Sequence, residues 1–223
     1  YIYNIKNYIL ILNIKIWIIR MTLISNKYKI IEQIGEGTFG KVFSGKYIKN
    51  NEDIAIKIQF KSLINVLQHE ARVYRQLINI NGIPLIRNYG FDQGFHYLIL
   101  EMLDYSLAKL DISNNDLLKY FNKSIEIIRD IHSQGIIHRD IKPDNLMIKD
   151  RNGIKRLYII DFGLAKRFLD LSGNHISIKK DKNIIGTIKY ASINIHYGIE
   201  SSRRDDLESL CYTFISLYKI NFN

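Results

Sequence analysis

The stretch His138-Arg139-Asp140-Ile141-Lys142-Pro143-Asp144-Asn145, followed by an apolar strand over Arg156 to Ile160 and then Asp161-Phe162-Gly163, decides how this chain is read. A polar turn between a helix and a strand could carry as much charge. It does not require histidine, arginine, aspartate, lysine and asparagine in this order, with Asp-Phe-Gly after the next strand. Each short motif matches by chance, so the weight rests on the combined set.

Upstream, Tyr28 to Ile34 has strand-forming residues, Gly35-Glu36-Gly37-Thr38-Phe39-Gly40 intervenes, and a second strand pattern runs from Lys41 to Tyr47. A lone G-x-G-x-x-G is a weak signal, because it also opens helices in dinucleotide folds. Here a strand follows, which favours a flap whose missing side chains let backbone N–H groups approach phosphates; a plain hairpin turn is the alternative. The third strand, Asp53 to Gln59, carries Ile54-Ala55-Ile56-Lys57. Ser62 to Ile78 reads as a helix, with Leu63, Val66, Leu67, Glu70, Val73, Tyr74 and Leu77 at helical spacing, and Gly82-Ile83-Pro84 breaks it. Lys57 can reach phosphates if a helical carboxylate such as Glu70 holds it. Taken singly, each reads as well as a solvated edge residue or a solvated helix face.

Further strands are expected near Leu85 to Tyr89 and Phe95 to Leu100, and a helix from Asn115 to Ser133. The change of period places a boundary near Met102, with a small strand-rich lobe before it and a mainly helical lobe after it. A polar, Lys-rich loop runs from Gly163 to about Asn183. Asp205 to Lys219 reads as a buried helix, given Leu207, Leu210, Cys211, Phe214, Ile215 and Leu217.

The 223 residues are 47% hydrophobic and 24% charged, a globular composition. The 32 Lys and Arg against 22 Asp and Glu give a formal charge of +10, which suits anionic partners. Abundant Ile, Asn, Lys and Tyr point to A/T-rich codons, and no nucleic-acid recognition motif is present, so no specific nucleic-acid partner is expected. The single cysteine, Cys211, excludes an intrachain disulfide and suits a reducing compartment, cytoplasmic or nuclear. Asn4, Lys6, Asn7, Asn13 and Lys15 interrupt every apolar run in Tyr1 to Arg20. No membrane span is expected there, and residues 1–20 are set aside as a leader outside the fold.

The stretch at 138–145, with Asp161-Phe162-Gly163, resembles the catalytic loop and metal-binding motif of protein kinases. Gly186-Thr187-Ile188-Lys189-Tyr190-Ala191-Ser192-Ile193-Asn194 and the run from Gly198 through Arg203-Arg204-Asp205-Asp206-Leu207-Glu208-Ser209-Leu210 are similar to the casein kinase 1 family. Asn81-Gly82-Ile83-Pro84 also fits, and the resemblance runs from about Tyr28 to Tyr218. It implies an α+β, two-lobed protein-kinase-like fold, with a strand-rich N-lobe over 21–102 and a helical C-lobe over 103–223 whose final helices are missing. It implies phosphate transfer from ATP, with Mg²⁺, to Ser or Thr of protein substrates, often acidic or already phosphorylated.

By that resemblance Asp140 accepts the substrate hydroxyl proton, Lys142 steadies the γ-phosphate, and Asn145 and Asp161 hold Mg²⁺. Gly35, Gly37 and Gly40 cover the phosphates and Lys57, with Glu70, holds them. Ile34, Val42, Ala55 and Met147 line the adenine slot, Leu100 guards its back, and Glu101 to Leu103 form the hinge; ordinary core packing accounts equally well for any one of these apolar residues. Lys182 and Lys189 receive a substrate phosphate or other anion. Lys189 replaces the usual Arg, and a point-charge ammonium binds phosphate less directionally than a guanidinium. Asp104-Tyr105 replaces the usual Gly-Pro, and Cys211 a usual Gly. With the last helices missing, the isolated chain is expected to be less stable than a full kinase domain and weakly active or inactive. The reading that competes with an active kinase is therefore a catalytically silent module that binds nucleotide or a partner protein.

Overall fold

The computed structural model describes residues 22–37, 40–60, 65–170 and 172–218. The leader, Thr38 and Phe39 of the glycine turn, the expected helix start at Ser62 and Leu63, and Lys219 lie outside the described residues. Two compact units are formed, one holding 22–37, 40–60 and 87–102, the other 65–86, 103–170 and 172–218.

In the first unit, β1 (Leu23–Ile24), β2 (Tyr28–Gly37), β3 (Gly40–Tyr47), β4 (Glu52–Phe60), β5 (Ile86–Asp92) and β6 (Phe95–Glu101) make a six-stranded sheet ordered β1-β2-β3-β4-β6-β5. Successive side chains on a strand point to opposite faces. Ile54, Ile56 and Ile58 of β4 therefore share one face, buried with Phe43, Phe95, Tyr97 and Ile99, while Ala55 and Lys57 take the other. β2 and β3 stay paired out to Gly37 and Gly40, so Gly35, Gly37 and Gly40 lie on paired strands at the end of the ladder.

The second unit contains α1 (Val66–Gln76), capped by the Asn65 side chain, which accepts from the Gln68 N–H at 2.9 Å. The helix α2 (Asn114–Ser133) buries Leu117, Ile127, Ile128 and Ile131 at helical spacing. Three short ladders follow. β8 (Ile136–Ile137) pairs with β11 (Lys166–Arg167), and β9 (Leu146–Arg151) lies between β7 (Tyr105–Ser106) and β10 (Ile154–Ile159). The short helix α3 (Ile193–His196) precedes α4 (Arg203–Leu217), which opens on a capping box between Ser202 and Asp205.

One expectation is corrected here. The buried face of α4 consists of Asp205, Asp206, Ser209, Leu210, Thr213 and Phe214, whereas Leu207 is 42% and Ile215 70% exposed and Cys211 is exposed. The polar stripe is inside because it supplies hydrogen bonds to the segment 138–141. The Thr213 hydroxyl donates to the Ile141 carbonyl at 3.3 Å, and Asp206 accepts from that segment as described below.

Gly82 sits at φ +97°, and its carbonyl accepts the Ile159 N–H at 2.8 Å. A Cβ there would collide with the Ile127 side chain. Gly82→Ala is expected to lower the unfolding free energy by about 3 kcal/mol, combining left-handed strain with overpacking. Urea unfolding followed by circular dichroism checks this.

Candidate active site

Ile136 and Ile137 are buried in β8 and deliver the chain to His138, which is fully buried. The backbone N–H groups of His138 and Arg139 both donate to the Asp206 carboxylate, to Oδ2 and Oδ1 respectively, at 2.8 Å each. His132 Nε2 lies 2.8 Å from Asp206 Oδ2. Arg139 has φ +70°, a left-handed conformation that costs a side-chain-bearing residue about 1 to 2 kcal/mol. Both ends of one buried carboxylate hold that turn in place. The Arg139 guanidinium runs back to the Leu164 carbonyl, with Nε donating at 2.6 Å.

The turn presents Asp140. Its Oδ1 accepts from the Thr187 N–H at 2.9 Å and from the Thr187 hydroxyl at 2.8 Å. Its Oδ2 lies 2.9 Å from Lys142 Nζ and 3.3 Å from Asn145 Nδ2. Asn145 Nδ2 also donates to the Asp140 carbonyl at 2.8 Å, and Lys142 Nζ to the Thr187 hydroxyl oxygen at 2.9 Å. Three of the expected residues, Asp140, Lys142 and Asn145, thus form one network, with Thr187 as a fourth member. Gly186 at φ +89° makes this possible, because a Cβ there would strike the Arg139 carbonyl.

Asp161 is tied to the same network through its backbone. The Ile160 N–H donates to the Asn145 carbonyl at 3.0 Å, and the Ile160 carbonyl lies 2.9 Å from His138 Nε2. Asp161 itself is left-handed at φ +66°, and its N–H donates to the Tyr74 hydroxyl at 3.1 Å. Phe162, fully buried, contacts the Tyr74 ring edge-on and the His138 ring, each with centroids 5.0 Å apart. Burial first, and then the Glu70 carboxylate, push the Tyr74 phenol well above its usual range, so the hydroxyl stays protonated. Glu70 is 1% exposed on the same face of α1, one turn before Tyr74, which excludes the solvated-face alternative.

The other expected residues lie as follows. In the first unit, Val42 pairs with Lys57 and Ala55 with Leu100 across the sheet, and Gly35 pairs with Val42. These five occupy one sheet face, opposite Ile54, Ile56 and Ile58. β4 is an interior strand between β3 and β6, so Lys57 is not an edge residue. Ile34 is 41% exposed, and Glu101 ends β6 at 7%. In the second unit Leu103 is buried and Met147 half-buried on β9. Lys182 and Lys189 are exposed and lie on separate supports: the Lys182 N–H donates to the Gly198 carbonyl at 2.9 Å, and Lys189 Nζ stands 5.2 Å above the Tyr190 ring.

Thr187, Tyr74 and Asp206 were not singled out from the sequence. Two signals bear on them: Tyr74 follows Glu70 by one helical turn, and the run Ser202-Arg203-Arg204-Asp205-Asp206 puts two acids in the first turn of α4 behind a capping serine. Asp206→Ala orphans the buried His138 N–H and the half-buried Arg139 N–H. It is expected to destabilise the chain by at least about 2 kcal/mol, measured by denaturant unfolding.

The Asp140 carboxylate is held by a lysine, a threonine and an asparagine, an arrangement chemically able to neutralise charge and accept a proton. The sequence matches the protein kinase domain across residues 28–218, a span that contains every one of these side chains. The chain belongs to the protein kinase family, whose members transfer phosphoryl groups to proteins.

Proposed function

We propose that this kinase is a Ser/Thr protein kinase of the casein kinase 1 type, moving the γ-phosphoryl group of ATP to hydroxyls of acidic or phosphorylated proteins. The observation that carries the reading is the Asp140 carboxylate, fixed by Thr187, Lys142 and Asn145 at 2.8 to 3.3 Å. Phosphoryl transfer needs little covalent work from the protein, and catalysis is mostly positioning and charge neutralisation. Asp140 receives the proton of the acceptor hydroxyl. Lys142 is shared between Asp140 and Thr187 and adds positive charge where the phosphoryl group passes. Thr187 closes one side of the base, which suits a short aliphatic hydroxyl.

The residues fit Mg²⁺. Asn145 commits Nδ2 to Asp140, which leaves its Oδ1 as a hard oxygen, and Asp161 brings a carboxylate. Among the described residues no group of three or more His, Cys, Asp or Glu could hold a metal alone. One carboxylate and one amide accord with a cation that shares its shell with substrate phosphates. When bound, the metal neutralises charge on the phosphate oxygens.

Lys57 is assigned to the α- and β-phosphates, Glu70 to the support of the phosphate-binding set, and Gly35, Gly37 and Gly40 to the phosphate flap. Ile34, Val42, Ala55, Leu100, Glu101, Leu103 and Met147 are assigned to the nucleoside. Lys182 and Lys189 are assigned to substrate anions, consistent with the +10 charge.

Wild-type chain is expected to transfer labelled phosphate from MgATP to casein. Asp140→Asn should lower kcat about 10²- to 10⁴-fold, the range for removing a general base, with nucleotide affinity retained. Nucleotide binding without transfer by the wild type would favour the silent module instead. Lys182→Ala and Lys189→Ala should raise KM for acidic peptides while kcat holds, the pattern of lost uniform binding. Equal transfer to Ser and Tyr versions of one acidic peptide would sink the Ser/Thr assignment.

A further inference from the structure

The Asn152-Gly153 pair joins the far ends of β9 and β10, which take no part in the chemistry assigned above. Both residues are left-handed, at φ +54° and +81°, the pair of signs that a two-residue type I′ hairpin requires. Such a turn fixes the register of the strands that it joins. Arg151 stands opposite Ile154, Asp150 opposite Lys155, Lys149 opposite Arg156 and Ile148 opposite Leu157. Ile148 and Leu157 are buried and mark the inner face. Side chains alternate along a strand, so Asp150 and Lys155 share the inner side, and Lys149, Arg151, Ile154 and Arg156 share the outer one.

The two sides differ in charge. On the inner side Lys155 stands across from Asp150 and also acts on Asp116 of α2, whose carboxyl Lys119 and Ser113 chiefly hold below its ordinary range. On the outer side the cations Lys149 and Arg156 are directly opposed. Cβ atoms of such a pair lie only about 5 Å apart, and like charges so placed destabilise the sheet. Arg151 follows Lys149 by two residues, and Ile154, across from it, is 63% exposed. The third strand of this sheet brings one acid, Asp104, just before β7, and its Oδ2 accepts the Asp150 N–H at 2.7 Å. Among the described residues of these strands, the outer side therefore carries an excess of cations.

We propose that the outer face of the β9–β10 hairpin is a docking site for an acidic, extended segment of the protein substrates. It consists of residues other than those assigned to phosphoryl transfer. Carboxylates on alternate residues of an extended chain recur about every 6.6 Å on one side, which is also the spacing of Lys149 and Arg151 along β9. A carboxylate set between Lys149 and Arg156 removes their mutual repulsion, and Ile154 receives an apolar side chain at the end of the row. A membrane surface is recognised by clusters of about four to eight cations, more than this face carries. Nucleic acid is the weaker fit, since the sequence has no recognition motif for it. For the identity of the segment as part of a substrate the inference rests on the kinase reading above; for the binding of an acidic segment it does not.

The test titrates the full chain into a fluorescein-labelled peptide of alternating Asp and Val, which has no acceptor hydroxyl, and follows anisotropy. Wild type should bind, with an affinity that falls as salt rises. Arg156→Glu turns the opposed cations into a cross-strand ion pair with Lys149, so the fold is retained. It should bind the peptide about tenfold more weakly, because one exposed attraction is lost and a repulsion takes its place. Lys29→Glu, the same change of charge in the other unit, should bind as wild type does. The double variant Lys182→Ala/Lys189→Ala should remain sensitive to Arg156→Glu. With a phosphorylatable peptide, an appended Asp-Val tail should lower KM at constant kcat for wild type, and Arg156→Glu should abolish that gain. No binding by wild type, wild-type affinity in Arg156→Glu, or an equal loss in Lys29→Glu would each overturn the proposal. So would an Arg156→Glu variant that loses single-stranded RNA or phosphatidylserine-containing vesicles while keeping the peptide. Wild type that binds the tail but transfers no phosphate fails the kinase reading and leaves the docking site standing. Should the charge reversal disturb the circular dichroism melt, Arg156→Ala carries the same decision.

Discussion

Two backbone N–H groups on one buried carboxylate are the constraint on which the loop 138–145 depends. Arg139 is left-handed, a state that a side-chain-bearing residue abandons unless its surroundings hold it. Asp206 does so by accepting from His138 and Arg139 simultaneously. A carboxylate suits the task better than a carbonyl, because charge-assisted hydrogen bonds are stronger than neutral ones and two oxygens can serve adjacent amides. Once the turn is set, Asp140 must project toward Thr187, and Asn145 lies within reach of the Asp140 carbonyl five residues on. The loop inherits its geometry from α4, through bonds to its backbone.

Asp140 is held by donors on both oxygens, which leaves its carboxylate little freedom to reorient. Asp161 is placed by different means. Its N–H donates to the Tyr74 hydroxyl, its carboxylate accepts from the Gly163 N–H at 3.4 Å, and its neighbours interlock, with Phe162 set against Tyr74 and His138. Hydrogen bonds fix the Asp140 carboxylate, and aromatic packing supports the turn at Asp161. The two are coupled through Ile160, whose N–H and carbonyl engage Asn145 and His138.

The strands were legible because β4 obeys a period of two, with Ile54, Ile56 and Ile58 on one face and Ala55 and Lys57 on the other. The family was legible because the stretch 138–145 and Asp161-Phe162-Gly163 carry particular side chains in a fixed order, within the span that matches the protein kinase domain. Thr187 and Tyr74 were not, because each acts through a contact with a residue far along the chain: Thr187 with Asp140, Tyr74 with Asp161. Neither partner is implied by local spacing. A threonine in a loop and a tyrosine in an apolar helical stripe carry no mark of what they will meet.

The misreading of α4 has a more specific cause. Hydrophobic periodicity identifies the buried face of a helix when that face packs against apolar surface. The inner face of α4 instead meets irregular backbone, whose amides and carbonyls must be satisfied wherever water is excluded. Asp206 accepts from His138 and Arg139, Thr213 donates to Ile141, and Asp205 accepts from the Ser192 hydroxyl at 2.6 Å. Polar residues are therefore what that face needs, and leucine at those positions would leave the loop's amides without partners. A loop with unusual backbone angles imposes a polar face on the helix that supports it, and in this chain the acids of Arg203-Arg204-Asp205-Asp206 are the trace of that requirement in the sequence.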